Sequence, residues 1–284
     1  MSDDARGFLR SIRKEVPRAL TGGPVDDDTE VAAMLRELGI ALIECEQPTH
    51  QVEARLRSIA KNYTSETVRV VVLPTALVVQ VGTVAYEVET VVNPTTQLNL
   101  AGRVDAIAEL AEFGAITAAD AAREAAAARS MPPRFGPVVT VIGYTVTTLG
   151  FGMVINPTWA SLWGYIFLGA VVGAIVMLGR PFPTLNAVLP TLAAAVVTLL
   201  ATWFVADAAN DGLLRVISPP LVALLPGLAL TIGAMELASA QMVSGATRLM
   251  YGVMQLMLLV FGVGMGIHLG GSLVPQQPSA QMGS

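Results

Sequence analysis

Glu236 is the side chain of this sequence best placed to do chemistry. It closes an apolar stretch and is the sole acid in GLALTIGAMELASAQMVSGATRL. A carboxylate beside a membrane segment is costly and usually faces a polar cavity or a partner. In such a place it could bind a substrate amine, or carry a proton by alternating between charged and neutral forms. The plainer alternative is an interfacial charge at a helix end, paired with Arg248. Pro226-Gly227 lies in the same region, shortly after Pro219-Pro220. Proline removes a backbone donor and kinks a helix. Broken helices in transporters expose backbone groups that bind ions or substrate carboxylates, although kinks also serve packing alone. Thr231, Ser239, Ser244 and Thr247 either line a polar path around Glu236 or permit close helix contact. Asn186 and Asp207 are weaker candidates of the same kind.

Other chemistry finds little support. His50 and His268 are far apart, and with the lone Cys45 they make no metal-ligand set. His50 and Glu53 could share a helix face, but no third ligand accompanies them. His50, Glu53, Asp105 and Glu109 form no recognised catalytic arrangement, so no enzyme activity is expected. No nucleophile elbow, phosphate loop or dinucleotide fingerprint is present, and no cofactor is expected. No basic stripe marks a nucleic-acid footprint. One thiol excludes an internal disulfide and fits a reducing compartment.

These residues must be held by elements, and the composition says which kind. The chain is 53% hydrophobic and 14% charged, with a mean hydropathy of +0.60. Beyond residue 134 the charged side chains are Arg180, Arg215, Arg248, Asp207, Asp211 and Glu236 alone. Six charges cannot solvate a domain of that size, whereas lipid is as apolar as the side chains that would face it. The expected fold is an α-helical membrane bundle of about five transmembrane helices preceded by a small cytoplasmic α+β domain. Residues 1–29 are read as a mobile arm, with a short amphipathic helix at 7–20. Residues 30–130 form the cytoplasmic domain. A helix starts at Asp28 or Thr29 with Val31, Met34, Leu35, Leu38 and Leu42 on one face. Pro48 ends it, and a second helix carries Val52, Leu56 and Ile59. Three β-branched runs separated by Pro74 and Gly82 predict a meander over 67–92. Helices follow at 99–113, stopped by Gly114, and from Thr117 to about Arg129.

The membrane domain, 135–270, is read as spans at about 135–155, 159–178, 185–205, 213–234 and 248–270. Asn156–Thr158, Arg180–Pro183, Asp207–Asp211 and Glu236–Arg248 separate them. Glycines at 169 and 173, and at 262, 264, 266 and 270, have the spacing of helix-contact faces. Arg123, Arg129 and Arg134 precede the first span, Arg180 follows the second and Arg248 the fourth. That bias places the N-terminal domain in the cytoplasm of a multi-pass plasma-membrane protein. Residues 271–284 have the composition of a polar tail or linker.

The order of four segments resembles a known family. CEQPTHQVEARL, VVVLPTALVVQV, NLAGRVDAIAELAEFGAITAADAAREAAAA and then the apolar spans are similar to the bacterial threonine/serine exporter family and its fungal relatives. LLPGLALTIGAMELASAQMVSGATRL resembles the family's signature in Pro226, Gly227, Glu236, Ser244, Gly245 and Arg248. The chain departs from it as well. Many members have Asn at the place of Ile232, Asp at that of Glu236, and Gly at those of Glu46 and Ala240. The resemblance implies secondary export of small amino acids driven by the proton motive force. Some split relatives resemble dicarboxylate exporters instead. It further implies a second membrane half, fused downstream or supplied as a separate subunit, or a homo-oligomer. A membrane-anchored enzyme or a purely structural membrane protein is the competing expectation.

Overall fold

The computed structural model describes residues 27–89, 98–155, 157, 159–179, 188–205 and 213–273. The expected helix at 7–20, the junctions 180–183 and 207–211, Asn186 and the tail from residue 274 lie outside the described residues. The chain divides into two compact units. One comprises residues 1–133 with 232–247, the other residues 134–231 with 248–284.

In the first unit, helix α1 (Asp28–Glu44) is buried on nearly every side, with Val31, Met34, Leu35, Leu38 and Leu42 fully enclosed. Its cap is Asp27, one residue earlier than expected, whose carboxylate accepts the Thr29 N–H at 3.3 Å. Three consecutive aspartates offer equivalent acceptors there, so the sequence pattern leaves the choice open. Helix α2 (Thr49–Ala60) buries Thr49, Val52, Leu56 and Ile59 at helical spacing. Strands β1 (Val68–Leu73), β2 (Ala76–Val81) and β3 (Val84–Glu89) pair antiparallel in chain order. Val70, Val72, Leu77, Val79 and Val81 alternate into the core, which is the meander the period-two pattern predicts. Helices α3 (Leu98–Glu112) and α4 (Ala118–Arg129) complete the unit. Gly114, at φ 62°, stops α3. The Thr117 hydroxyl caps α4 by accepting the Asp120 N–H at 3.2 Å.

Charged side chains stitch these helices together. Arg129 of α4 donates to both carboxylate oxygens of Glu44, at 2.8 and 2.9 Å, and to Glu37 at 3.1 Å, all on α1. Arg55 of α2 reaches Asp105 at 2.6 Å and Glu112 at 2.7 Å, both on α3.

The second unit is built from apolar helices. They are α5 (Pro137–Ile155), α6 (Trp159–Gly179), α7 (Leu189–Leu200, continued by a π-turn over Ala201–Val205) and α8 (Leu213–Val222). Helix α9 (Gly227–Ala238) and helix α10 (Met242–Leu273) each run from one unit into the other. Leu168, Val172, Ala193, Ala194, Val197, Val216 and Leu259 form the core. Val138, Ile142 and Val146 on α5, and Met250, Met254, Met257 and Phe261 on α10, are exposed. Apolar rows of this length are untenable in water and ordinary against lipid. Among the described residues three helices are long and apolar enough to cross a bilayer: Pro137–Ile155, Ser161–Gly179 and Met242–Gly271. The chain is a mostly helical, multi-pass membrane protein.

The apolar stretches differ from the expected five straight spans in three respects. The helix covering Leu189–Phe204 is short among the described residues. The stretch expected at 213–234 is two helices, α8 and α9, bent by 68°, which would count as a fourth crossing if taken together. Pro226, with no N–H to donate, sits at that break. Helix α8 runs on through Pro219-Pro220, so the second proline pair of the sequence pattern is not a break. Finally, Glu236–Arg248 is mostly helix. The separator shrinks to a turn at Ser239–Gln241, and α10 begins at Met242 rather than 248.

The glycine spacing is a contact face except at Gly264, where a Cβ would meet open space. A Cβ at Gly169 or Gly173 would stand 2.9 Å or 2.8 Å from the Cα of Thr145 or Val141 on α5. At Gly266 it would meet the Ala195 carbonyl of α7 at 2.7 Å.

Candidate functional site

Helix α9 carries Ile232, Gly233 and Glu236 on its buried face. The end of α9 is set by two backbone bonds. The Gln241 N–H donates to the Glu236 carbonyl at 2.9 Å and the Ala240 N–H to Leu237 at 3.1 Å. This six-to-one closure requires a left-handed residue between helix and turn, and here it is Ala240 at φ 62°. The chain then doubles back into α10. Gly245 makes the close return possible, since a Cβ there would stand 2.7 Å from the Leu237 nitrogen and 2.8 Å from the Gly233 carbonyl. The result is a tight helical hairpin whose tip, residues 232–247, belongs to the first unit.

The start of α2 comes to meet it. Helix α1 closes with the same motif: the Gln47 N–H donates to Leu42 at 3.2 Å and the Glu46 N–H to Ile43 at 2.8 Å. The left-handed residue is Glu46, at φ 57°. Pro48 then takes the N-cap position of α2 and offers no capping side chain. The Gln51 and Val52 N–H groups find the Pro48 carbonyl, but the Thr49 N–H points out of the helix. It donates to Glu236 Oε1 at 2.8 Å, in a buried contact that spans 187 residues of sequence. Both residues are enclosed, with Glu236 0% and Thr49 1% exposed. A carboxylate at a helix N-terminus satisfies an orphan donor and meets the positive end of the helix dipole. Thr49 Oγ1 and His50 Nδ1, on the same first turn, are buried without a hydrogen-bond partner among the described residues.

The expected site residues are therefore divided. Glu236, Ser239 and Ser244 lie in the first unit, with Ser244 buried and Ser239 exposed at the turn. Thr247, exposed, donates its hydroxyl to the Val243 carbonyl at 2.9 Å, which is local helix bonding. Pro226, Gly227, Thr231 and Arg248 belong to the second unit. Pro226 and Gly227 mark the 68° break, and Thr231 is exposed. Asn186 and Asp207 lie outside the described residues. Thr49 is the residue that reading the sequence missed. Its signal was a helix start, Gln47-Pro48-Thr49, lacking Ser, Thr, Asp or Asn at the cap, which asks for an acceptor from elsewhere.

Two of the side chains considered for enzymatic chemistry have structural partners. Asp105 binds Arg55, and Glu53 binds Arg57 at 2.6 Å. Burial opposes the Arg55 cation, but the Asp105 and Glu112 carboxylates outweigh it and hold the guanidinium above its ordinary pKa. Burial, then the Glu44 and Asp105 carboxylates, push the Cys45 thiol up to about 11. A thiol so protonated is a poor nucleophile. Among the described residues no group of three His, Cys, Asp or Glu side chains is placed to hold a metal ion.

Comparison with known proteins agrees with the segment order. The sequence model of one family, described as "Putative threonine/serine exporter", matches residues 33–270. Neither the curated proteins nor the solved structures contain a significant match. The matched region takes in α2, the bent pair and the whole Glu236 hairpin. The chain belongs to the threonine/serine exporter family.

Proposed function

We propose that the chain is a secondary transporter, or a subunit of one, that exports small amino acids such as threonine and serine across the plasma membrane, driven by the proton motive force. The observation that carries this reading is Glu236: a fully buried carboxylate on an otherwise apolar helix, inside the region matched by an exporter family. Such a group can pair with a substrate amine or bind and release a proton. The broken helix at Pro226-Gly227 supports the same reading, because it frees backbone groups within an apolar stretch. Ser244, Ser239, Thr231, Arg248 and Asn186 remain the residues we assign to the path. Ile232 is buried one turn before Glu236. Many members carry Asn there, so a solute other than threonine or serine is the second candidate, a dicarboxylate being the one that split relatives suggest.

The N-terminal elements are assigned to the cytoplasm from the arginines before α5, with residues 30–130 as the cytoplasmic domain. Five crossings agree with the Thr49–Glu236 bond: if the hairpin tip lies on the side of α2, the chain between residues 134 and 232 crosses an even number of times. Helices α5 and α6 supply two crossings. The short helix at Leu189–Phe204 and the bent pair then cross together or not at all. Both crossing, with α10 last, gives five. The exposed apolar rows of α5 and α10 suit lipid and also a second membrane half or another copy of the chain. Loss of radiolabelled threonine from preloaded cells tests the reading. Cells making the chain should empty faster than cells without it, and equal rates would refute threonine export.

A further inference from the structure

We infer that Thr49 is a positioning residue for transport: its backbone N–H holds the Glu236 carboxylate, which makes the first turn of α2 part of the transport machinery. The inference rests on the reading of Glu236 as the working carboxylate. Four observations converge on it. First, the 2.8 Å bond from the Thr49 N–H to Glu236 Oε1 is buried and joins two segments 187 residues apart. Second, α2 has no capping side chain of its own, and Glu236 accepts the N–H of its first residue from outside the helix. Third, the two non-glycine residues with positive φ among the described residues, Glu46 and Ala240, lie three and four residues from this pair. Backbone held at such angles gathers where a fold is constrained by function. Fourth, Thr49 Oγ1 and His50 Nδ1, on the same turn, are buried without hydrogen-bond partners among the described residues.

A carboxylate tied to a helix N-terminus has one oxygen and a defined direction committed. The carboxylate then meets a solute amine or a proton in a fixed orientation. Losing the N–H would free the side chain to rotate and weaken solute binding without removing the charge.

The bond comes from the backbone, and one substitution removes it cleanly. Thr49 is the first residue of α2, where proline is well tolerated because its missing N–H is one the helix does not use. The preceding Pro48 already has ψ 133°, the extended backbone that a residue before proline prefers. Thr49→Pro therefore deletes the donor, whereas Thr49→Ala deletes the hydroxyl and keeps the donor. The measurement is threonine uptake into inside-out membrane vesicles under an imposed proton gradient, with the amount of protein in the membrane quantified.

For Thr49→Pro the half-saturating threonine concentration should rise about tenfold or more, the size of one lost bond to a charged group. Thr49→Ala should stay within about threefold, since a neutral hydroxyl with no partner contributes little. A variant that was merely less stable would lose maximal rate and keep its half-saturation. Unchanged half-saturation in Thr49→Pro overturns the inference. Glu236→Gln, run beside it, separates the two failures: full transport in Glu236→Gln refutes the role of the carboxylate itself. Full transport in Thr49→Pro, with Glu236→Gln impaired, refutes only the positioning role. Should Thr49→Pro fail to reach the membrane, hydrogen exchange decides. In Glu236→Ala the amides at the start of α2 should exchange about tenfold faster than in the wild type, and equal rates overturn the inference.

Discussion

Glu46 at φ 57° and Ala240 at φ 62° each end a helix in the left-handed region. An L side chain there costs about 1–2 kcal/mol, against the 0.5–1 kcal/mol that glycine loses in the unfolded chain, roughly. Glu46→Gly and Ala240→Gly should each raise stability by about 0.5–1 kcal/mol, read as a higher midpoint of thermal unfolding in detergent. A lower midpoint would mean that these side chains make compensating contacts. These are also the two positions where the family resemblance places glycine, so the strain was written in the sequence, though only the backbone angles explain it. Cys45 permits a second test. Its thiol is raised from 9.0 to about 11 in the folded chain, by burial first and then by Glu44 and Asp105. Unfolding returns it to its ordinary value, so the unfolded chain holds fewer protons in that interval. The contribution of the neutral thiol is complete below about pH 9 and is lost as pH rises through about 11. Wild type should therefore lose more stability across this interval than Cys45→Ala does. Parallel curves would contradict the assigned burial.

At the scale of elements, periodicity made the N-terminal helices and strands legible. Val52, Leu56 and Ile59 could share only a helical face, and Val70 with Val72 only a strand face. Pro226 announced a break. Two things stayed hidden. Pro219-Pro220 carries the same helix-kinking chemistry as Pro226, yet α8 runs through it. The hairpin turn at Ser239–Gln241 has neither glycine nor proline, so the polar character of 236–248 suggested a loop where the chain is helical. Helix contacts in the membrane half rest on small residues rather than on apolar pattern. Gly266 touches the α7 backbone, with the Ala195 carbonyl 2.7 Å from where a Cβ would stand. Gly264 has open space around that position. Gly266→Leu should cost about 1–3 kcal/mol through overpacking, and should reduce the monodisperse peak in size-exclusion chromatography. Gly264→Leu should leave it unchanged. Equal behaviour of the two variants would refute the contact face.

For the whole molecule, charge distribution separated a polar from an apolar half and made a membrane protein evident. The link from α2 to the hairpin tip was not legible, because no pattern within either segment points to a partner 187 residues away. The proposed topology puts both ends of that link on the cytoplasmic face. With Cys45 replaced by Ser, single cysteines at the exposed positions Lys61 and Met242 should react with an impermeant maleimide only when the cytoplasmic face is open. A cysteine at Gly271, at the far end of the last apolar helix, should react from outside. Labelling of Lys61 and Met242 from opposite faces would contradict the fold of the first unit.

The account depends most on Glu236 serving transport. The direct measurement is proton-gradient-driven threonine uptake into inside-out vesicles, for wild type and Glu236→Gln at matched amounts in the membrane. Wild type should accumulate threonine and lose this when the gradient is collapsed, while Glu236→Gln should fall about tenfold or more. Undiminished, gradient-dependent uptake by Glu236→Gln would contradict the account.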